Sequence, residues 1–217
     1  MDIQLGRLCS NRQHHVFSDQ RSHVFGVFDS LLLDVAQLSE SFHNSFDSLE
    51  RCIYISFSND HTVKCYAYDN LEGGSSHTYT NIVSFYNGNN VFVSHKLTPD
   101  LRSPMVGFTA IHRIKPKHLK LYLFTGYGTY GGGKQHMSLQ LFKIDGFSLT
   151  ECFDCYEDYS PLYFEQNRIQ DFDIEFDENL QQIKAKVYQY NNETGFYTEE
   201  FNWVSYSIKD GKIQKMK

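Results

Sequence analysis

Apolar residues recur along this chain with two different periods. From Ser30 to Arg51 the spacing is three or four. Leu31, Val35, Leu38, Phe42, Phe46, Leu49 and Ile53 fall on one stripe of a 3.6-residue helix. Gln37, Glu40, Asn44, Asp47 and Glu50 lie on the other side, and Asp29 or Ser30 can accept the free N–H groups at its start. The pattern predicts one N-terminal amphipathic helix over about 30–51, packed on a sheet. At roughly three heptads it is too short to read as a coiled coil.

After Arg51 the period becomes two. Short runs rich in Val, Ile, Phe and Tyr, such as CIYISFS, TVKCYAYD, LKLYLFTGY, HMSLQLFKI and FNWVSYSI, are divided by turn residues. Asn59-Asp60, Gly131-Gly132-Gly133, Asp145-Gly146, Asn191-Asn192 and Asp210-Gly211 are the clearest of these turns. About a dozen strands joined by short turns predict a mainly β, antiparallel meander and exclude alternating βαβ order. Such a sheet must close, stack or coil, so a barrel, a sandwich or a propeller-like array fits. Side chains are expected to alternate between core and solvent along each strand. Residues 1–28 read as a mobile N-terminal arm, and residues 29–217 as a single β-rich domain.

Composition supports a folded domain. Among 217 residues stand 18 Phe, 15 Tyr and one Trp. A chain this long buries roughly 70% of its unfolded surface, so it needs no staple. No run of about 18 apolar residues exists to span a membrane. The net charge of −6 gives no general attraction for nucleic acid. Residues 111–150 carry six basic groups and one acidic, whereas residues 151–200 carry thirteen acidic and three basic. Solvated strand faces of opposite sign are the expectation, with a basic patch for an anionic ligand the lesser reading. The N-terminus lacks the positive region and apolar stretch of a secretory signal. The reading is therefore cytoplasmic, or periplasmic or secreted if a signal has been removed. The five cysteines, odd in number and irregular in spacing, do not read as a disulfide framework. Cys152-Phe-Asp-Cys155 has redox spacing but an acidic setting, which disfavours a thiolate.

Several motifs suggest chemistry and then fail a physical test. Gly128 to Lys134 matches G-x-x-x-x-G-K, yet position 135 is Gln and a strand pattern follows where a phosphate-binding helix is required. Asp171, Asp173, Glu175 and Asp177 resemble the start of a calcium loop, but Phe176 stands where the tight turn needs Gly. A wet strand face, partly neutralised by Lys184 and Lys186, is the expectation. His14, His15 and His23 lack a geometry that would fix a metal. Asp69, Ser76 and His77 share one loop without a nucleophile elbow. Tyr127 and Tyr130 flank the glycine loop, where exposed rings can stack on sugars or anchor a protein.

One stretch has a family look. Residues 58–77, SNDHTVKCYAYDNLEGGSSH, resemble S-D-D-x-x-x-R-x-Y-x-W-D-x-x-x-G-G-T-x-H of β-rich, uncharacterised Bacteroidetes proteins, and Leu121 to Gly128 resemble their later YYLLxGxG strand. The chain departs from that pattern at Lys64, Tyr68 and Ser75. The resemblance implies a β-rich fold and, because many of those proteins carry export signals, a place in the cell envelope. It brings no activity with it. The leading expectation is a non-catalytic binding module for a protein or carbohydrate, with Asp60, Tyr68, Asp69, His77, Tyr127 and Tyr130 as candidate ligand residues. No cofactor, metal ligand or catalytic residue is assigned. The alternative is a hydrolase of glycans or esters built on Asp60, Asp69 and His77. A third class, a periplasmic assembly partner, would show an uncovered sheet edge or apolar patch.

Overall fold

The computed structural model describes residues 2–14, 21–72, 74–87, 89–98, 100–115 and 117–217. Two helices, α1 (Asp2–His14) and α2 (Arg21–Ala36), precede three antiparallel sheets of meander strands. The first sheet holds β1 (Ile53–Phe57), β2 (Val63–Asp69), β3 (Tyr79–Tyr86) and β4 (Phe92–Lys96) in that order. The second holds β5 (Gly107–Arg113), β6 (Leu121–Thr129), β7 (Lys134–Asp145) and β8 (Ser148–Glu151), with β9 (Leu162–Asn167) beside the first half of β7. The third holds β10 (Ile174–Asp177), β11 (Gln182–Asn191), β12 (Phe196–Lys209) and β13 (Lys212–Lys215). Among the described residues no barrel closes, and no helix is long and apolar enough to cross a membrane.

The sheets stack as layers, and each gap has its own core. Val63, Cys65, Phe85, Phe108, Phe124 and Phe142 fill the space between the first and second sheets. Leu121, Leu139, Leu141, Phe164, Ile183 and Ile208 fill that between the second and third. The helices cover the outer face of the first sheet through Leu5, Phe28, Leu32, Tyr66, Tyr68 and Ile82. A single parallel bridge ties each pair of sheets, Ser58 to Ile111 and Tyr156 to Ile213.

The helix reading over 30–51 is corrected. Helix α2 ends at Ala36, and short 3₁₀ turns at Ser39–Ser41 and Asp47–Leu49 follow. The periodic residues Phe42, Phe46 and Leu49 are buried as expected, but turns present them. Asn44 takes the Phe46 N–H on its side chain, and Phe46 adopts a left-handed φ of 53°. The Lys64 ammonium donates to the carbonyls of Ser41 and Asn44, at 3.0 and 2.6 Å. These contacts supply the backbone with partners other than helical ones. Residues 2–14 also form a helix rather than a loose arm. Leu5, Cys9 and Arg12, spaced four and three apart, are its buried face.

The cysteine reading is corrected too. Cys9 and Cys52 pair across 43 residues, tying α1 to the turn before β1, with Cα atoms 6.0 Å apart. Cys152 and Cys155 pair within a 3₁₀ turn, and Cys65 is free and buried. Proximity in space, which spacing in the chain does not report, decides these bonds.

Strict alternation between core and solvent also fails in the inner layers. Six of the seven residues of β2 are buried, Lys64 among them, because helices cover one face and the second sheet the other. Burial pushes the Lys64 amine down to about 7. Its stem and head lie against Phe46, Phe57 and Tyr66, with Nζ 4.6–5.0 Å from the ring centroids. The outer face of the third sheet has no such cover among the described residues. There Lys184 and Lys186 lie 4.2 Å over Trp203 and Phe201, so long cationic stems shield the rings. Glu175 stands opposite Lys184, as the hairpin reading expects.

Candidate functional site

The site is built on β6 and β7. Leu121 and Leu123 turn toward the third sheet, so Tyr122, Phe124, Gly126 and Gly128 turn toward the first. A Cβ at Gly126 would collide with the Val106 side chain, and one at Gly128 would sit 2.6 Å from the Met105 carbonyl oxygen. These two positions must lack side chains for residues 103–106 to lie across the strand. On β7 the same face carries His136, Ser138 and Gln140, all buried. Each bonds a neighbouring segment: His136 Nε2 reaches the Met105 carbonyl at 3.2 Å, Ser138 donates to Leu162, and Gln140 donates to Pro104. Sharing Nε2 with a carbonyl makes it the protonated nitrogen. Nδ1 is then a bare acceptor, buried and without a hydrogen-bond partner among the described residues. Burial holds this imidazole below its ordinary pKa, so the ring is neutral near pH 7.

His136 is the middle ring of an aromatic wall. Its centroid lies 4.5 Å from Tyr130 and 5.2 Å from Tyr163. His136 is 2% exposed, whereas Tyr130 and Tyr163 are 39% and 36% exposed. The wall flanks an open cleft of about 520 Å³, with Ser76, His77, Thr129, Arg102 and Ser160 on its polar rim.

Residues Ser103 to Met105 separate this cleft from a second cavity of about 380 Å³ deeper between the sheets. Its apolar side is formed by Val106, Phe108, Phe142 and Leu149. Glu151, the last residue of β8, lines it too. Oε2 accepts the Ser103 hydroxyl, Oε1 is buried, and the Tyr156 hydroxyl also bonds this carboxyl. Burial pushes this carboxyl up to about 7, against the opposing pull of the Ser103 bond.

The candidates from sequence divide. Asp69 and His77 do come together: Asp69 Oδ2 holds His77 Nδ1, and Asp69 Oδ1 accepts the Leu71 N–H at 2.7 Å. His77 and Tyr130 both line the cleft. Asp60 lies at the opposite end of β2, where it braces a turn by accepting from the Ser58 and Thr62 hydroxyls at 2.6 and 2.7 Å. Tyr68 is 1% exposed beneath α2, edge-on to Phe28. Tyr127 turns toward the third sheet, bonding Gln135 and packing near Phe172. The glycine loop is a β6–β7 hairpin, since β7 begins at Lys134. His15, the His14 side chain and Gly73 lie outside the described residues. Among the described residues no group of three His, Cys, Asp or Glu could hold a metal ion.

His136, Tyr163, Ser103 and Glu151 were missed. His136 and Glu151 read as polar positions of alternating strands, and nothing local shows that a distant connection buries them. No family model matches the chain, and neither a curated protein nor a solved structure matches it.

Proposed function

We propose that this chain is a non-catalytic binding module that takes a carbohydrate in the cleft between its first and second sheets. The observation that carries the reading is the wall of Tyr130, His136 and Tyr163. A sugar presents a C–H face that packs on aromatic rings and hydroxyls that need polar partners beside them. The two outer rings are available, and the buried imidazole between them fixes their position. Hydroxyls of Ser76, Thr129 and Ser160 stand at the rim to meet the ring substituents. The hydrolase alternative loses support, because Asp60 is remote from the Asp69–His77 pair. The two disulfides favour an oxidising compartment, the periplasm or the cell exterior.

A glycan array probed with the wild type, Tyr130→Ala and Tyr163→Ala tests the reading. The wild type is expected to retain at least one glycan, and each variant to bind it roughly tenfold more weakly, about 1.4 kcal/mol. No retained glycan, or variants that bind like the wild type, would overturn it.

A further inference from the structure

We infer that the inner cavity between the first and second sheets is a second site, one that takes a small neutral aromatic alcohol, its ring among Phe108, Phe142 and Leu149 and its hydroxyl on the side-chain carbonyl of Gln140. It does not depend on the sugar reading, since the Tyr130 wall lies on the other side of residues 103–105. The cavity is lined by β4 and β8, each an outermost strand of its sheet. Its volume, about 380 Å³, suits a small organic molecule. Phe108 and Phe142 meet edge to face, with centroids 5.6 Å apart, and form a rigid apolar wall on which a further ring can pack.

Gln140, buried on β7 next to Phe142 on the same face, supplies the polar anchor. Its Nε2 donates to the Pro104 carbonyl at 3.5 Å and to the Ser138 hydroxyl oxygen at 3.2 Å. Ser138 gives its own proton to the Leu162 carbonyl, so both oxygens beside Nε2 need a donor and the amide cannot be turned round. Oε1 is the atom left over. It accepts no hydrogen bond among the described residues and, unlike Oε1 of Glu151, it is not sealed off from the cavity. A half-enclosed acceptor without a donor is costly, and a ligand O–H group would remove that cost.

The other polar groups favour a neutral ligand. Asn81 is used up, its side chain bonding the Val106 carbonyl and the Phe108 N–H. The Glu151 carboxyl is held by the Ser103 and Tyr156 hydroxyls. Asp100 and Arg102 cancel each other in a two-point pair at 2.9 and 3.1 Å, and Lys96 is exposed. His95 stands opposite Val83 on β4 and so faces the same gap. Burial holds its ring below the ordinary pKa, so it is neutral near pH 7, with one donor and one acceptor that find no hydrogen-bond partner among the described residues. An ammonium or a carboxylate placed here would give up its water without gaining a buried counter-ion. A hydroxyl, which gives one proton and can accept another, matches Gln140 and His95.

Isothermal titration of the full chain with para-propylphenol tests this, with para-propylanisole and para-propylbenzoate as comparators. The anisole keeps the ring and loses the O–H, and the benzoate adds a charge. The phenol is expected to bind, and each comparator to bind roughly tenfold more weakly. Intermolecular nuclear Overhauser contacts with the wild type should run from the phenol ring to Phe108, Phe142 and Leu149. Gln140→Met, checked for a wild-type melting transition, should lose roughly tenfold in phenol affinity and leave the anisole unchanged. The proposal is overturned if the phenol fails to bind, if either comparator binds as tightly, if the contacts fall on Tyr130 and Tyr163 instead, or if the folded variant holds the phenol as tightly as the wild type. Should the variant fail to fold, the comparators and the contacts on the wild type decide.

Discussion

Strand β7 separates two gaps that resemble each other in construction and differ in chemistry. In both, one meander packs on another and a single bridge pins the pair. Toward the third sheet β7 presents Leu139 and Leu141, which close an apolar core with Phe164, Ile183 and Ile208. Toward the first sheet its first half presents His136, Ser138 and Gln140, which bond backbone carbonyls of other segments and, for Gln140, the Ser138 hydroxyl, while Phe142 and Ile144 farther along join the apolar core of that gap. Buried polar groups demand partners in fixed positions, whereas an oily face demands only volume. The cavities of about 380 and 520 Å³ and the aromatic wall lie along that polar stretch. The difference teaches that a chain can make a site by burying the polar side of a strand.

Four substitutions or conditions should separate the gaps, beginning with the strongest. Leu141→Ala, in the oily gap, should cost about 2–5 kcal/mol in urea unfolding while leaving glycan binding intact. Next is the pH dependence of the polar gap. Between about pH 4.5 and about pH 7 the unfolded chain has ionised Glu151 while the folded chain keeps the proton. Folding then binds more protons, so stability falls as pH rises through that window, by about 3 kcal/mol, and levels off above it. Glu151→Gln should remove the fall in a series of urea titrations. Gly128→Ala should push against His136 and the Met105 carbonyl, costing about 1–3 kcal/mol and weakening glycan binding. Ser138→Ala should cost least, about 1 kcal/mol for the bonds to Leu162 and from Gln140 together, again read by urea unfolding.

Strand positions were legible because local rules govern them. The turns at Asp145-Gly146 and Asp210-Gly211 join β7 to β8 and β12 to β13, with left-handed residues where Gly is free to supply them. The rejection of a phosphate loop at Gly128 to Lys134 rested on the strand pattern after it, and the hairpin bears that out. What was not legible depends on contacts between distant segments. Lys64 reads as a solvent position until Ser41 and Asn44 arrive from 20 or more residues away. Tyr68 reads as a ligand residue until α2 covers it. Asp69 and His77 could be paired in advance because one loop holds both, whereas Tyr130, His136 and Tyr163 meet only once β9 lies against β7.

Amide hydrogen exchange, with and without the strongest glycan from the array, tests most directly whether the polar gap is the working one. Slowed exchange is expected at residues 76–78, 100–106 and 128–138 and on β9, with no change on β10 to β13. Protection centred on the Trp203 face of the third sheet, with the gap between the first two sheets unaffected, would contradict the account.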